Sequence, residues 1–188
     1  VFKYYNFFAE NLTVLAKIIH WNYSLSSLAL VLPIGLSFHT FQAMSYTIEV
    51  YRGRVKSERH LGIYSLYVLF FPQLVAGPIE RPYNLMPQFY EKHEVDWGRI
   101  SSGLRLMLFG FFKKIVIADN IAVIVDRVFN YPTQFQGLFL IFASALFAFQ
   151  LYADFSGYSD IAIGAAKVLG FNLMKNFNRP FASKSISE

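Results

Sequence analysis

"QLYADFSGYSDIAIGAAKVLGF" occupies residues 150–171. No charged residue precedes it between Phe135 and Ala153, and then Asp154 and Asp160 arrive six positions apart around Ser156 and Gly157. A carboxylate at membrane depth costs about 2.5–3.5 kcal/mol on insertion scales, so an apolar chain places one there for a reason. On one continuous helix, at about 100° per residue, six steps turn through about 600° and aim the two side chains at different faces. For both to meet one cavity the helix must break. Ser156-Gly157 is the weak point, because glycine adopts backbone angles closed to other residues. Such a break predicts a span from Gln134 to Ala153 and a second, short helix over 159–171 that Gly170 closes. It also predicts that Asp154, Ser156 or Ser159 caps the new N-terminus, where negative charge is favoured.

The surrounding composition says which solvent this stretch meets. Of 188 residues 55% are hydrophobic, 19% are aromatic and only 15% are charged, with a mean hydropathy of +0.37. A soluble domain carries about 25% charged residues. The sequence therefore predicts an all-α, polytopic transmembrane helical bundle with re-entrant or broken helices, organised as one membrane domain over 1–188 with membrane lipid as its neighbour. The net charge of +5 needs no nucleic acid, because Lys and Arg gather in the cytoplasmic loops of membrane proteins. Cysteine is absent, which excludes disulfides and thiolate chemistry. No pair of histidines has ligand spacing, so no metal site is expected.

Read outward, residues 4–19 predict an apolar helix interrupted by Glu10 and Lys17. Trp21 to Ile48 carries no formal charge, which predicts a span near 25–48 kinked by Pro33 and Gly35. "RGRVKSERH" at 52–60 sets four basic residues against one acid and places that loop in the cytoplasm. Leu61 to Ile79 is again uncharged, but Pro72, Pro78, Pro82 and Pro87 crowd the following stretch. Each proline removes a donor and disfavours helix before it, so a helix near 61–75 should give way to irregular backbone. Such backbone is either re-entrant, against protein or a wet cavity, or an ordinary exit loop. Residues 90–101 are polar, with Trp97 an interfacial anchor. Residues 100–129 are helical, but Lys113 and Lys114 fall in their middle. Two mid-span lysines argue for an amphipathic interfacial helix followed by a second, partly inserted one, ended by Pro132. His39 beside Gln42 invites a general-base role, though a hydrogen-bonded interhelical histidine is the commoner arrangement. "SISE" at 185–188 has the form of a capping box for a following helix, so the chain is expected to be an internal segment. Chemistry alone leaves two classes open, an enzyme and a transporter or flippase that uses the aspartates as a proton or cation path.

Four blocks narrow this. "LPIGLSFHTFQAMSYTIEVYRG" at 32–53, "FFPQLVAGPIERP" at 70–82, "GFFKKIVIADNIA" at 110–122 and "QLYADFSGYSDIAIGAAKVLGFNLMKNFNRPF" at 150–181 together resemble the membrane-bound O-acyltransferase family. The bacterial alginate O-acetylation branch is the nearest in look, with teichoic-acid D-alanylation as a relative. The resemblance implies a multi-pass protein of the bacterial cytoplasmic membrane. In such a protein an acetyl-CoA or other acyl thioester donor on the cytoplasmic side meets a central histidine, with no bound cofactor. The acyl group, acetyl in this branch, passes toward hydroxyls of an exported polysaccharide with a periplasmic partner of the SGNH-esterase type. It also implies that the catalytic histidines lie beyond Glu188, since none of the four here matches them, and that the fragment alone is inactive. His39 stands where relatives carry another aromatic. Gly77, Pro78 and Arg81, with Tyr152, Asp154, Ser156, Tyr158 and Asp160, are then expected to shape the donor tunnel or brace that histidine. Asn178 and Arg179 would lie near the cytoplasmic entrance.

Overall fold

The computed structural model describes residues 4–19, 35–74, 77–177 and 180–185. Residues 1–36 and 37–188 form two compact units. In the first, α1 (Tyr5–Ile18) forms where a helix was expected, burying Ala9 and Ala16 while Phe7, Phe8, Leu15 and Ile18 stay exposed.

In the second unit the regular elements among the described residues are all helical. α2 (Leu36–Tyr51) follows Gly35, which sits at its N-terminal edge with φ +77°. Pro33 and most of the expected 25–34 segment lie outside the described residues. α3 (Leu61–Leu69) starts on a cap in which Ile63 N–H donates to the His60 ring. The prolines then end α3 sooner than the expected residue 75. Phe70 is extended, Phe71–Gln73 make one 3₁₀ turn, residues 77–81 have no regular structure, and α4 (Pro82–Leu85) is a single turn.

α5 (Trp97–Phe111) is capped by the Asp96 side chain, which accepts from Gly98 N–H at 2.8 Å. It leads without interruption into a π-helical segment (Phe112–Ala118) and then α6 (Asp119–Asn130). The expected division into an interfacial helix and a separate inserted one is therefore not found. The chain absorbs its two lysines by widening the helix locally.

α7 (Leu138–Leu169) corrects the other expectation. It is one helix of 32 residues, about 48 Å at 1.5 Å per residue. It passes through Ser156-Gly157 unbroken, and Asp154, Ser156 and Ser159 cap nothing. It does end at Gly170, whose φ of +100° closes a Schellman turn with Phe171 N–H donating to Ala166 O at 2.9 Å. Among the described residues α7 is the helix long and apolar enough to cross a membrane, and Leu61–Gln73 is a shorter apolar stretch.

The sides of α7 are the reverse of a soluble helix. Its buried positions are Ala143, Ala153, Ser156, Gly157, Ser159, Ala162, Gly164 and Ala166, all small. Its exposed positions include Phe139, Ile141, Phe142 and Leu151. Where the surroundings are as apolar as leucine, small residues let backbones approach and large ones face outward. The partner is α5 with its π continuation. A Cβ on Gly110 would lie 2.6 Å from Gly157 O, and one on Gly164 would lie 2.7 Å from Gly103 O. Gly103 with Gly110, and Gly157 with Gly164, are each seven residues apart, so the two helices run antiparallel with glycine facing glycine at two levels. At its C-terminal end α7 joins a core of Tyr67, Phe70, Leu85, Met86, Ala166 and Leu173. Phe171 there meets Phe70 edge-on at 5.0 Å and His93 at 4.4 Å.

Candidate functional site

Gly157 is the saddle on which the charged residues sit. A side chain there would strike Gly110 O at 2.9 Å, Lys114 N at 3.1 Å and the Lys113 side chain at 3.3 Å. Asp154 and Asp160 lie three residues either side of it. Three steps along a helix come to about 300°, or 60° short of a full turn. The two carboxylates therefore flank Gly157 by about 60° on each side, and the facing helix answers both without any break. Lys113 pairs with Asp160 and donates to Ser156 Oγ at 3.3 Å. Lys114 lies 2.8 Å from Asp154 Oδ1 and donates to Asp119 at 2.6 Å. In an α-helix adjacent side chains diverge by about 100°. The π turn carries more residues per turn, which narrows that angle and lets both lysines face α7. Aromatic faces finish the cluster, with Lys113 Nζ 4.9 Å from the Phe109 ring and Lys114 Nζ 5.5 Å from the Tyr158 ring.

Four of the expected residues, Asp154, Ser156, Tyr158 and Asp160, thus come together around two lysines. Tyr152 goes elsewhere. Its ring meets Phe177 at 5.8 Å and Phe181 at 5.3 Å, on an apolar groove of about 550 Å³ that Leu151 and Phe155 also line. Asn178 and Arg179 lie outside the described residues.

Gly77, Pro78 and Arg81 belong to a second centre, in the proline-rich stretch. Gly77 and Pro78 are buried, and a Cβ on Gly77 would sit 2.5 Å from the Gln73 backbone, so glycine is required for that close approach. The neighbouring Glu80, fully buried, accepts from Asn84 at 2.8 Å and from Met174 N–H, while its carbonyl accepts from the Tyr67 hydroxyl at 2.8 Å. Arg81 Nη1 reaches 3.6 Å from the buried Glu49, which also faces Arg54 at 3.4 Å and Arg52 at 4.0 Å. The basic loop that carries Arg52 and Arg54 is pinned further along, at Glu58. That residue's N–H donates to the Tyr46 hydroxyl at 2.7 Å, and its carboxylate accepts from His60 N–H at 2.8 Å and from the Tyr90 hydroxyl at 2.9 Å. The His60 N–H bond, then the Tyr90 bond, hold the Glu58 carboxyl below its ordinary range, and the same contact raises the Tyr90 phenol.

Among the histidines, His93 bonds to Gln88 O at 2.8 Å. His39 does not make the expected interhelical bond at Nε2, which is buried without a partner among the described residues. Gln42, one turn on, is fully buried with both amide atoms in the same condition. The arrangement as a whole is one of paired charges and close backbones. It positions helices.

Lys113, Lys114, Glu49 and Glu80 were not placed in the site by sequence reasoning. A usable signal existed for the lysines, since the two seven-residue glycine pairs announce which helices touch.

The membrane-bound O-acyltransferase family model matches residues 55–188. The "probable alginate O-acetylase" of Pseudomonas putida is 40% identical over all of this chain, which spans 38% of that protein. The peptidoglycan O-acetyltransferase of Helicobacter pylori is 35% identical over the whole chain and 40% of its own length. The teichoic acid D-alanyltransferase of Bacillus subtilis is 26% identical over 82% of this chain and 40% of its own length. The chain thus spans well under half of these relatives.

Proposed function

This chain belongs to the membrane-bound O-acyltransferase family, and from that membership we propose that the whole protein moves an acetyl group toward hydroxyls of an exported polysaccharide. The donor is acetyl-CoA or another acyl thioester presented at the cytoplasmic face of a bacterial inner membrane, and the protein crosses that membrane several times. A hydroxyl, relieved of its proton by a histidine acting as general base, attacks the thioester carbonyl, and the thiol leaves. Exclusion of water keeps the thioester from hydrolysis. None of the four histidines in this chain is assigned that role, so residues 1–188 alone are inactive. An SGNH-type periplasmic partner completes transfer to the polymer.

The observation that carries this proposal is the similarity over the whole chain to two O-acetylating relatives, at 40% and 35% identity. The weaker match to the D-alanyltransferase makes D-alanyl transfer the second choice. A proton or cation path through the aspartates is less favoured, because Asp154 and Asp160 each face a lysine. Within the enzyme, the Lys113–Asp160 and Lys114–Asp154 pairs serve as positioning residues that fix α5 and α7 around the acyl path. The test is acetylation of purified polysaccharide by membranes holding the full-length protein and its partner, supplied with labelled acetyl-CoA. Label in base-labile ester on the polymer supports the proposal. Label only with a D-alanyl carrier donor would move it to the second choice.

A further inference from the structure

Glu49 gathers more positive charge than it can neutralise. α2 ends in a Schellman turn on Gly53, at φ +71°, with Gly53 N–H donating to Val50 O at 2.9 Å and Arg54 N–H donating to Glu49 O at 3.0 Å. That turn folds the loop back, so that Arg54 Nη1 reaches 3.4 Å from both Glu49 carboxylate oxygens. Arg52 stands 4.0 Å from Oε1 on the same side. Arg81 arrives from the proline-rich stretch, 27 residues further along the chain than Arg54, at 3.6 Å from the same oxygen. Three guanidinium groups therefore converge on one oxygen, with a local charge of +3 − 1 = +2.

The other carboxylates nearby in sequence are engaged. Glu58 serves His60 N–H and Tyr90, and Glu80 serves Asn84 and Met174 N–H. Among the described residues, no second acid lies within ion-pair distance of the three arginines. The Glu49 side chain is 1% exposed, whereas those of Arg52, Arg54 and Arg81 are 55%, 60% and 49% exposed. The carboxylate is thus the buried floor of the cluster, and the guanidinium forks open outward. Each fork carries five N–H donors and no acceptor, so one carboxylate leaves most of them unspent. A second carboxylate would satisfy a single fork. A tetrahedral phosphate, with several charged oxygens pointing in different directions, answers two or three forks at once.

We propose that Arg52, Arg54 and Arg81, held together by Glu49, bind a phosphate group. Its source is either an anionic lipid headgroup at the membrane surface or a soluble phosphate-bearing molecule, and the site does not depend on acyl transfer. The test follows the thermal midpoint of the detergent-purified full-length protein. It is titrated in parallel with inorganic phosphate and with short-chain phosphatidylglycerol, against sodium chloride matched in ionic strength. A saturable rise with inorganic phosphate assigns a soluble phosphate group, and a rise with phosphatidylglycerol alone assigns the headgroup. Arg52→Gln removes the most distant fork with the least disturbance and should raise the half-saturating concentration about tenfold, as loss of a charge-assisted bond does. Arg54→Lys, which keeps the charge and removes the fork, should weaken binding in the same direction. An equal rise with chloride, no rise with either probe, or unchanged half-saturation in both variants would overturn the assignment.

Discussion

Two ionic clusters lie in the same unit and are built on opposite terms. At Gly157 the backbones touch and every cation is answered, Lys113 by Asp160 and Lys114 by both Asp154 and Asp119. At Glu49 one carboxylate faces three arginines, the helices are replaced by a turn and an irregular stretch, and the excess charge opens outward. The first cluster behaves as a fastener, since no cation is left over. The unmatched cluster behaves as a receptor, because its geometry is fixed from beneath while its donors remain available. Charge density alone does not separate the two, whereas the ratio of partners does.

The comparison is broken most severely at the glycine saddle. Gly157→Val in the full-length protein places methyl groups where the Gly110 carbonyl and the Lys114 backbone already stand. Overpacking costs about 1–3 kcal/mol where side chains can shift. Here the obstacles are backbone atoms, so the loss should reach or pass about 3 kcal/mol, read as a collapse of the thermal midpoint or of folded yield. Lys113→Met comes next. It strands Asp160, and removing one partner of a buried pair costs about 3–5 kcal/mol. With the two side chains 16% and 22% exposed, solvent screening brings the expected loss to about 2 kcal/mol. Adding Asp160→Leu to Lys113→Met should recover most of it, and failure to recover would show that the pair is more than a fastener.

Asp160→Asn sharpens the same contrast at smaller cost, since the amide still accepts a hydrogen bond from Lys113. Insertion and folding should be retained while acyl transfer falls several-fold. Transfer at the wild-type rate would remove Asp160 from the positioning residues. The smallest effect is expected in the basic loop. The Glu58 carboxyl titrates below its ordinary value of 4.5, so its contribution is complete above that value and fades as pH falls through the lowered one. Glu58→Gln should therefore lower the thermal midpoint slightly at neutral pH, and the difference from the wild type should vanish as pH falls through the lowered value.

The sequence disclosed these clusters unevenly. The solvent was legible from composition, the irregular 70–81 stretch from its prolines, and the end of α7 from Gly170. Each of these depends on residues close together in the chain. The helix-angle argument failed at Asp154 and Asp160 because it treated one helix in isolation and sought a common cavity for both acids. A separation of about 120° is an obstacle to a shared cavity but suits a saddle with a cation on either side. Lys113 and Lys114 seemed to argue against a continuous helix for the same reason, that the α7 aspartates facing them lie about forty or more residues away. Gly157 was read for its freedom to bend, when its lack of a side chain was the property in use. Arg52 and Arg54 were visible only as a topological signal, because nothing in "RGRVKSERH" says that Arg81 will return to meet them.

The π-helical segment makes the seam sensitive to counting as well as to chemistry. Removing one residue between Phe112 and Ala118 would let the helix close into ordinary α turns with no loss of hydrogen bonds. Because each π residue turns through less than the α value of about 100°, dropping one residue on closing leaves the facing of the helix beyond Asp119 nearly unchanged. Val125 and Val128 would stay buried on α6, while the two lysines would diverge and one would leave its aspartate. The extra residue held between Gly110 and Asp119 therefore serves the two lysines and not the packing of α6.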